Sequence, residues 1–353
     1  MGVNHKLSTI PINSKYKSIQ TLNYNLLLLL NSNLFVTQVK EDFLNLYAMS
    51  AKKLLFIVNP ISGGRDKREI LNAISKSFDP SPHSYDIVNS EYSGHSNLLA
   101  CEAVNKGYDG VIAIGGDGTV NEVAAALIQK KTALGIIPCG SGNGLARHLN
   151  IPINYIGAID IIKKGIVESF DYGLINNQPF FTTCGVGFDA EVSQTFANSD
   201  NRFFHSKRGI ISYLENIIRS GINYQPKTYT IETESGEKRY KALLVACANA
   251  SQYGNNAYIA PQASMKDGFL DVIIIEPFSF IDAPHIAIQL FTKTLNSNNH
   301  IKTFRTKKVT IYREEDGAAH RDGEPFITGK QIDIQIVEKG INIIVSPSTT
   351  PQV

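Results

Sequence analysis

At 353 residues with 43% of them hydrophobic, the chain is long enough for two domains and too apolar to be disordered throughout. Its 34 Lys and Arg against 32 Asp and Glu leave a formal net charge of +2, which gives no bulk electrostatic case for a nucleic-acid partner and makes any anion site a local feature. Cys101, Cys139, Cys184 and Cys247 lie far apart with no C-x-x-C pair and no zinc-type His spacing, which excludes a disulfide scaffold or metal knot and fits a reducing, cytoplasmic setting.

Residues 1–50 read as a poorly ordered N-terminal extension rich in Asn and Ser. Its apolar stretch LNYNLLLLLNSNLF is broken by Asn31, Ser32 and Asn33, so it is too short and too polar to cross a bilayer. A signal peptide is the rival reading, weakened by the lack of a small-x-small cleavage site. Met49 stands just before the first convincing strand, which makes a misassigned start another account of the extension.

From residue 51 to about 170 the pattern is α/β. Apolar runs at 52–58 (KKLLFIV), 84–89, 109–114 (DGVIAI) and 133–138 (ALGIIP) alternate with helical stretches near 66–77, 94–106 and 119–130. Continuous apolar strands separated by helices predict a Rossmann-like parallel sheet covered on both faces. From 171 to 347 longer strands near 227–235, 240–250, 270–275, 301–312 and 331–346 predict an antiparallel, β-sandwich-like second domain, with helices near 206–220 and 280–295 and last strands able to return to the first domain. Two unlike domains make a cleft, the usual place for a small-molecule site.

Three strand ends in the first domain carry glycine-rich turns: NPISGG (59–64), GGDG (115–118) and GSGNG (140–144). Glycine admits positive φ and close backbone approach, and the helix that follows directs N–H groups and partial positive charge at the same spot, a combination suited to phosphate. The chain has no G-x-x-x-x-G-K-[ST] loop, and GSGNG on a late strand without a matching acidic residue argues against a dinucleotide fingerprint. TVNE (119–122) reads as a capping box with Thr119 as N-cap and Glu122 reaching back, which gives both a structural explanation. Asp117, between glycines at an anion site, points to Mg²⁺ or a reacting alcohol, with a turn-forming Asp as the plain alternative.

Together NPISGG, GGDGTVNEV and IIPCGSGNGLARHL resemble the diacylglycerol kinase and sphingosine kinase catalytic-domain family of lipid kinases, over about residues 52–345. NAD kinases share the GGDG turn, but the continuation is similar to the lipid kinases. The resemblance implies an ATP site at Asn59, Pro60, Ile61, Ser62, Gly63, Ser90, Gly115, Gly116, Asp117, Gly118, Thr119, Val120, Asn121 and Ser141. Gly64 stands where a basic residue is frequent in the family, leaving Arg65 or Lys67 to reach the phosphates. HRDGEPF (320–326) resembles the family's D-G-E motif, which implies Glu324 as general base beside a catalytic Asp117. SMKDGFLDV (264–272) resembles a structural Mg²⁺ loop using the Asp267 carboxylate with the backbone carbonyls of Ser264 and Phe269, against which stands a plain Asp-Gly turn.

The implied activity is transfer of the γ-phosphate of ATP, with Mg²⁺, to a hydroxyl of a membrane lipid such as diacylglycerol or a sphingoid base. An NAD-kinase-like phosphotransferase and a non-catalytic nucleotide-binding regulator are the competing readings. Phe180, Phe181 and Phe188 are candidates for an apolar lipid cleft, with core packing an equal account. Arg202, Lys207 and Arg208, interleaved with Phe203 and Phe204, suit transient contact with an anionic membrane, and a solvated loop is the competing account. The expected enzyme is cytoplasmic and peripheral to the membrane, with a lipid substrate, a homodimeric second copy and no nucleic acid as partners.

Overall fold

In the computed structural model, described residues are 52–347 apart from 65, 79–82, 192 and 194–223. The four predicted parallel strands form as β1 (Lys53–Val58), β2 (Ser84–Asn89), β3 (Gly110–Gly115) and β4 (Ala133–Pro138). They pair in the order β2-β1-β3-β4, and β1, β3 and β4 are almost wholly buried, as their uninterrupted apolar runs require. Helices α1 (Arg68–Phe78), α2 (His95–Asn105), α3 (Asp117–Leu127), α4 (Gly144–His148) and α5 (Tyr155–Lys164) complete this lobe. Its core is built by Phe56, Ile112, Ile114, Leu134 and Ile137 of the strands with Ile74, Val123, Leu127 and Ile159 of the helices.

The second part is all antiparallel apart from one join. Strands β5 (Ile166–Ile175), β6 (Gln178–Phe180), β8 (Lys227–Thr233), β9 (Gly236–Ala242), β13 (Lys308–Arg313) and β16 (Gln331–Val345) extend the first sheet to ten strands. A separate six-stranded sheet has the order β12-β11-β10-β7-β14-β15, from β7 (Thr183–Gly187), β10 (Leu244–Ala248), β11 (Leu270–Ile275), β12 (Ile301–Thr306), β14 (Gly317–Arg321) and β15 (Glu324–Thr328). Phe180, Tyr229, Ile311 and Ile334 of one sheet pack on Val186, Cys247, Leu270 and Val272 of the other, which makes the sandwich. A last helix, α6 (Ala283–Thr292), covers part of the outer face through Ile286.

Two of the long predicted strands are each two strands. The run 240–250 changes sheet across Leu243, between β9 and β10, and the run 301–312 changes sheet across Lys307, between β12 and β13. Periodicity alone cannot register such a corner, because both halves remain extended. β16 joins the two architectures: Ile343 pairs parallel with Leu134 of β4, while Gln331–Gln335 pair antiparallel with β13. The chain from Lys53 onward forms one compact unit. The helix expected near 206–220 lies outside the described residues, as do residues 1–50.

Candidate functional site

Because β1, β3 and β4 are neighbours and parallel, their three glycine turns emerge side by side, spanning about 10 Å at ordinary strand spacing. They touch backbone to backbone. Gly63 has φ 64°, and a Cβ there would stand 1.7 Å from the Cys139 carbonyl oxygen; one on Gly140 would stand 2.7 Å from Gly116 Cα. Hydrogen bonds hold the same contact: Asn59 N–H donates to Ile114 O at 3.0 Å, Cys139 N–H to Gly115 O at 2.7 Å, and Asn59 Nδ2 to Thr119 Oγ1 at 3.0 Å. Ser90, buried at the exit of β2, donates its N–H to Val58 O at 2.8 Å. Pro60 and Ile61 are exposed on the first turn and Ser141 at the tip of the third. Val120 is buried on α3, with Asn121 beside it half-buried.

Lys67 is only 8% exposed, and its Nζ donates to Ser62 O at 2.6 Å, so a cation sits against the first turn. Arg65, the other basic candidate, lies outside the described residues. Arg147 donates Nε to Gly142 O at 3.0 Å in the third turn. Local positive charge thus accompanies turns whose chain is nearly neutral overall.

The acidic residues act differently from the sequence expectation. Helix α3 begins at Asp117, with Gly116 as N-cap and no side chain capping it, so Thr119 and Glu122 do not form a capping box. Glu122 instead accepts N–H bonds from Gly94 at 2.7 Å and Ser96 at 3.2 Å, supplying negative charge to the start of α2. Asp117, expected to face a metal or an alcohol, accepts from the amides of Asn143 at 2.8 Å and Gly144 at 2.7 Å. Each of its oxygens accepts one of these bonds, because the third turn folds back over the start of α3. Its carboxyl is pushed up by desolvation, with those two amides opposing the shift. In this arrangement Asp117 ties the second turn to the third.

The second sheet delivers the D-G-E motif to the same place. Asp322, at φ 48° in the β14–β15 turn, accepts the amides of Phe181, Thr182 and Thr183 at 2.9, 2.7 and 3.1 Å and the Thr182 hydroxyl at 2.5 Å. That latch fixes the turn, and the next carboxylate, Glu324, lies over the second glycine turn: its Oε1 is 3.7 Å from where a Cβ on Gly118 would stand. Desolvation raises the Glu324 carboxyl above its ordinary value; Arg321 opposes, and Asp322 and Glu122 add to the rise.

Other expectations fare less well. Phe180 and Phe181 are fully buried core residues, one between the sheets and one in the first lobe, and Phe188 packs edge-on against Tyr224. In the 264–272 loop, Asp267 accepts from Phe269 N–H at 3.1 Å and pairs with the Arg305 guanidinium, while Ser264 Oγ accepts from Lys266 N–H at 3.3 Å. Arg305 supplies the positive charge that the resemblance assigned to Mg²⁺, and no cluster of three or more His, Cys, Asp or Glu forms among the described residues. Residues 202–208 lie outside the described residues.

Sequence reasoning missed one polar group. His320 Nε2 lies 3.0 Å from Asp189 Oδ2, which also accepts from Tyr253 Oη at 3.2 Å. His320 stands in the HRDGEPF stretch, but 131 positions separate it from Asp189, so no local pattern joins them.

Residues 53–175 match the diacylglycerol kinase catalytic domain, and residues 182–344 match the YegS C-terminal NAD kinase beta sandwich-like domain. The chain joins a diacylglycerol kinase catalytic domain to a YegS-type C-terminal domain. A diacylglycerol kinase from Staphylococcus aureus is 29% identical over 276 residues, covering 77% of this chain and 86% of that protein. A Synechocystis sp. protein is 32% identical over 238 residues, 66% of this chain, and the chain spans 54% of that relative's length. A solved structure from Bacillus anthracis superposes with a TM-score of 0.70 at 26% identity, covering 84% of this chain and 98% of the other. With a diacylglycerol kinase catalytic domain and relatives named diacylglycerol kinase, the protein is an enzyme, a kinase phosphotransferase. No helix among the described residues is long and apolar enough to cross a membrane.

Proposed function

We propose that the protein transfers the γ-phosphate of ATP, supplied as its Mg²⁺ complex, to a hydroxyl of a membrane lipid such as diacylglycerol or a sphingoid base, working at the bilayer face. The single observation that carries this reading is Glu324 standing over Gly118, where the second lobe meets the glycine turns. In the reading, the Asn59–Gly63, Gly115–Asn121 and Ser141 turns, with Ser90 and the Lys67 charge, receive the triphosphate. Each charge-assisted bond to a phosphate oxygen contributes about 1.5–3 kcal/mol, so a few suffice. Asp117 serves by positioning the third turn against the second. Glu324 takes the lipid hydroxyl proton as the lipid oxygen bonds to Pγ and the Pγ–O bond to the β-phosphate breaks, releasing ADP.

The test is transfer from radiolabelled ATP followed by extraction. Label in the organic phase supports a lipid acceptor; label confined to an aqueous NAD product supports the NAD-kinase-like reading. Glu324→Gln should lower lipid phosphorylation by about 10²–10⁴-fold while ATP binding is unchanged. Undiminished turnover in that variant would remove Glu324 from the mechanism.

A further inference from the structure

Helix α6 has its polarity turned inside out. Its polar side chain Gln289 is buried and accepts from Asn298 Nδ2 at 2.7 Å, beside the buried Ile286. Ile288, by contrast, is 60% exposed, and Ile281, on the short turn Phe280–Asp282 that leads into the helix, is 85% exposed. The exposed positions are Ile281, Pro284, His285, Ile288 and Thr292, a single stripe at helical spacing with no Asp, Glu, Lys or Arg in it. From Ile281 to Ile288 the stripe is about 10 Å long. A helix seated on a domain by one face ordinarily turns charged residues to water on the other. An apolar outer stripe on a helix whose inner face is already packed therefore calls for a second apolar partner. The helix is also fixed in place, since Leu290 O accepts from Tyr258 N–H at 2.8 Å and Gln289 O from Thr294 N–H at 3.1 Å.

Charge decides what that partner is. After Asp282, which stands at the start of α6 where a negative charge suits the helix dipole, no Asp or Glu occurs until Glu314. Lys293 closes the helix, and its Nζ lies over the Tyr258 ring at 4.5 Å from the centroid, held by an aromatic face rather than by a carboxylate. Lys302 follows on β12, 3.7 Å from Glu276. Exposed isoleucines with a cation at the end of the same stripe are the composition of a helix that lies in a bilayer interface, apolar side down and lysine among anionic headgroups. We infer that the outer stripe of α6 is a membrane-docking face, with Ile281 and Ile288 entering the boundary between headgroups and acyl chains and Lys293 meeting anionic headgroups. This deepens the proposed lipid-kinase reading and rests on it for the reason to dock. The connection to the site is short: Tyr258 binds α6, and Asn255 of the same loop donates its N–H to Gly142 O at 3.0 Å in the third glycine turn. A docked α6 thus holds the phosphate turns one loop away from the bilayer.

Sedimentation of the full chain with vesicles of phosphatidylcholine and phosphatidylglycerol reads the docking directly. Replacing both isoleucines, Ile281→Asp with Ile288→Asp, should lower the vesicle partition coefficient about tenfold or more, with the melting temperature unchanged because both side chains are exposed. Lys293→Ala should lower it about fivefold on these vesicles and leave partition to pure phosphatidylcholine unchanged. Phosphorylation of a short-chain diacylglycerol dissolved as monomers should stay within about twofold of wild type in all three proteins, since no bilayer has to be met. A double variant that binds vesicles as well as wild type would overturn the docking face. So would a wild-type dimer that the double variant turns into a monomer with vesicle binding retained, which would give the stripe to a second copy. Wild-type protein that phosphorylates the monomeric lipid but binds no vesicles would overturn the docking face and spare the kinase reading. Vesicle binding that is lost in the double variant of a protein that phosphorylates no lipid would support the docking face and overturn the kinase reading.

Discussion

Desolvation raises the Glu324 carboxyl above its ordinary value, with Arg321 opposing the shift and Asp322 and Glu122 adding to it. A general base works as the carboxylate, so activity exists above its pKa and is lost as pH falls through it. Since the value is raised, the loss begins at a higher pH than for a free glutamate. The pH dependence of kcat/KM should show an acid limb with an apparent pKa above that of an ordinary glutamate; a limb at or below the ordinary value would contradict this environment. Glu324 itself was readable only through the resemblance, because nothing in a D-G-E turn announces that it lies over a glycine 206 residues earlier in the chain. Asp117 and Glu122 show the complementary failure. Both were read from their neighbours in sequence, yet Asp117 is claimed by amides 26 and 27 residues away and Glu122 by amides 28 and 26 residues away. A local motif such as a capping box is only a prior when a tertiary donor competes for the same carboxylate.

At the level of turns and strands, glycine carries both the legibility and the vulnerability. The three turns were recognisable because each breaks a buried apolar run with residues that admit close approach, and the fold sets all three against one another. Gly63 is the most demanding of these positions. A side chain there meets the Cys139 carbonyl at 1.7 Å in a left-handed conformation that costs a non-glycine residue about 1–2 kcal/mol before the clash is counted. Gly63→Ala should therefore lower the melting temperature and weaken ATP binding together, as the first turn separates from the third; calorimetry that shows an unchanged melting temperature would contradict the contact. The corners at Leu243 and Lys307 were not legible, since an extended chain that passes from one sheet to another keeps its alternation on both sides.

Over the whole molecule, one sheet runs from the nucleotide lobe into the sandwich, joined where β16 lies beside β4. The Asp322 latch reaches β7 through Thr183 and fixes the turn that carries Glu324, so the acceptor side and the phosphate side are parts of one framework. The central claim is that backbone amides at three adjacent strand exits hold a triphosphate with its terminal phosphate beneath Glu324. A crystal structure with a non-hydrolysable ATP analogue tests it most directly. The account predicts phosphate oxygens bonded to amides of the 59–63 and 115–121 turns and the γ-phosphate between Gly118 and Glu324. Nucleotide bound elsewhere on the molecule, with those turns in contact only with solvent, would contradict it.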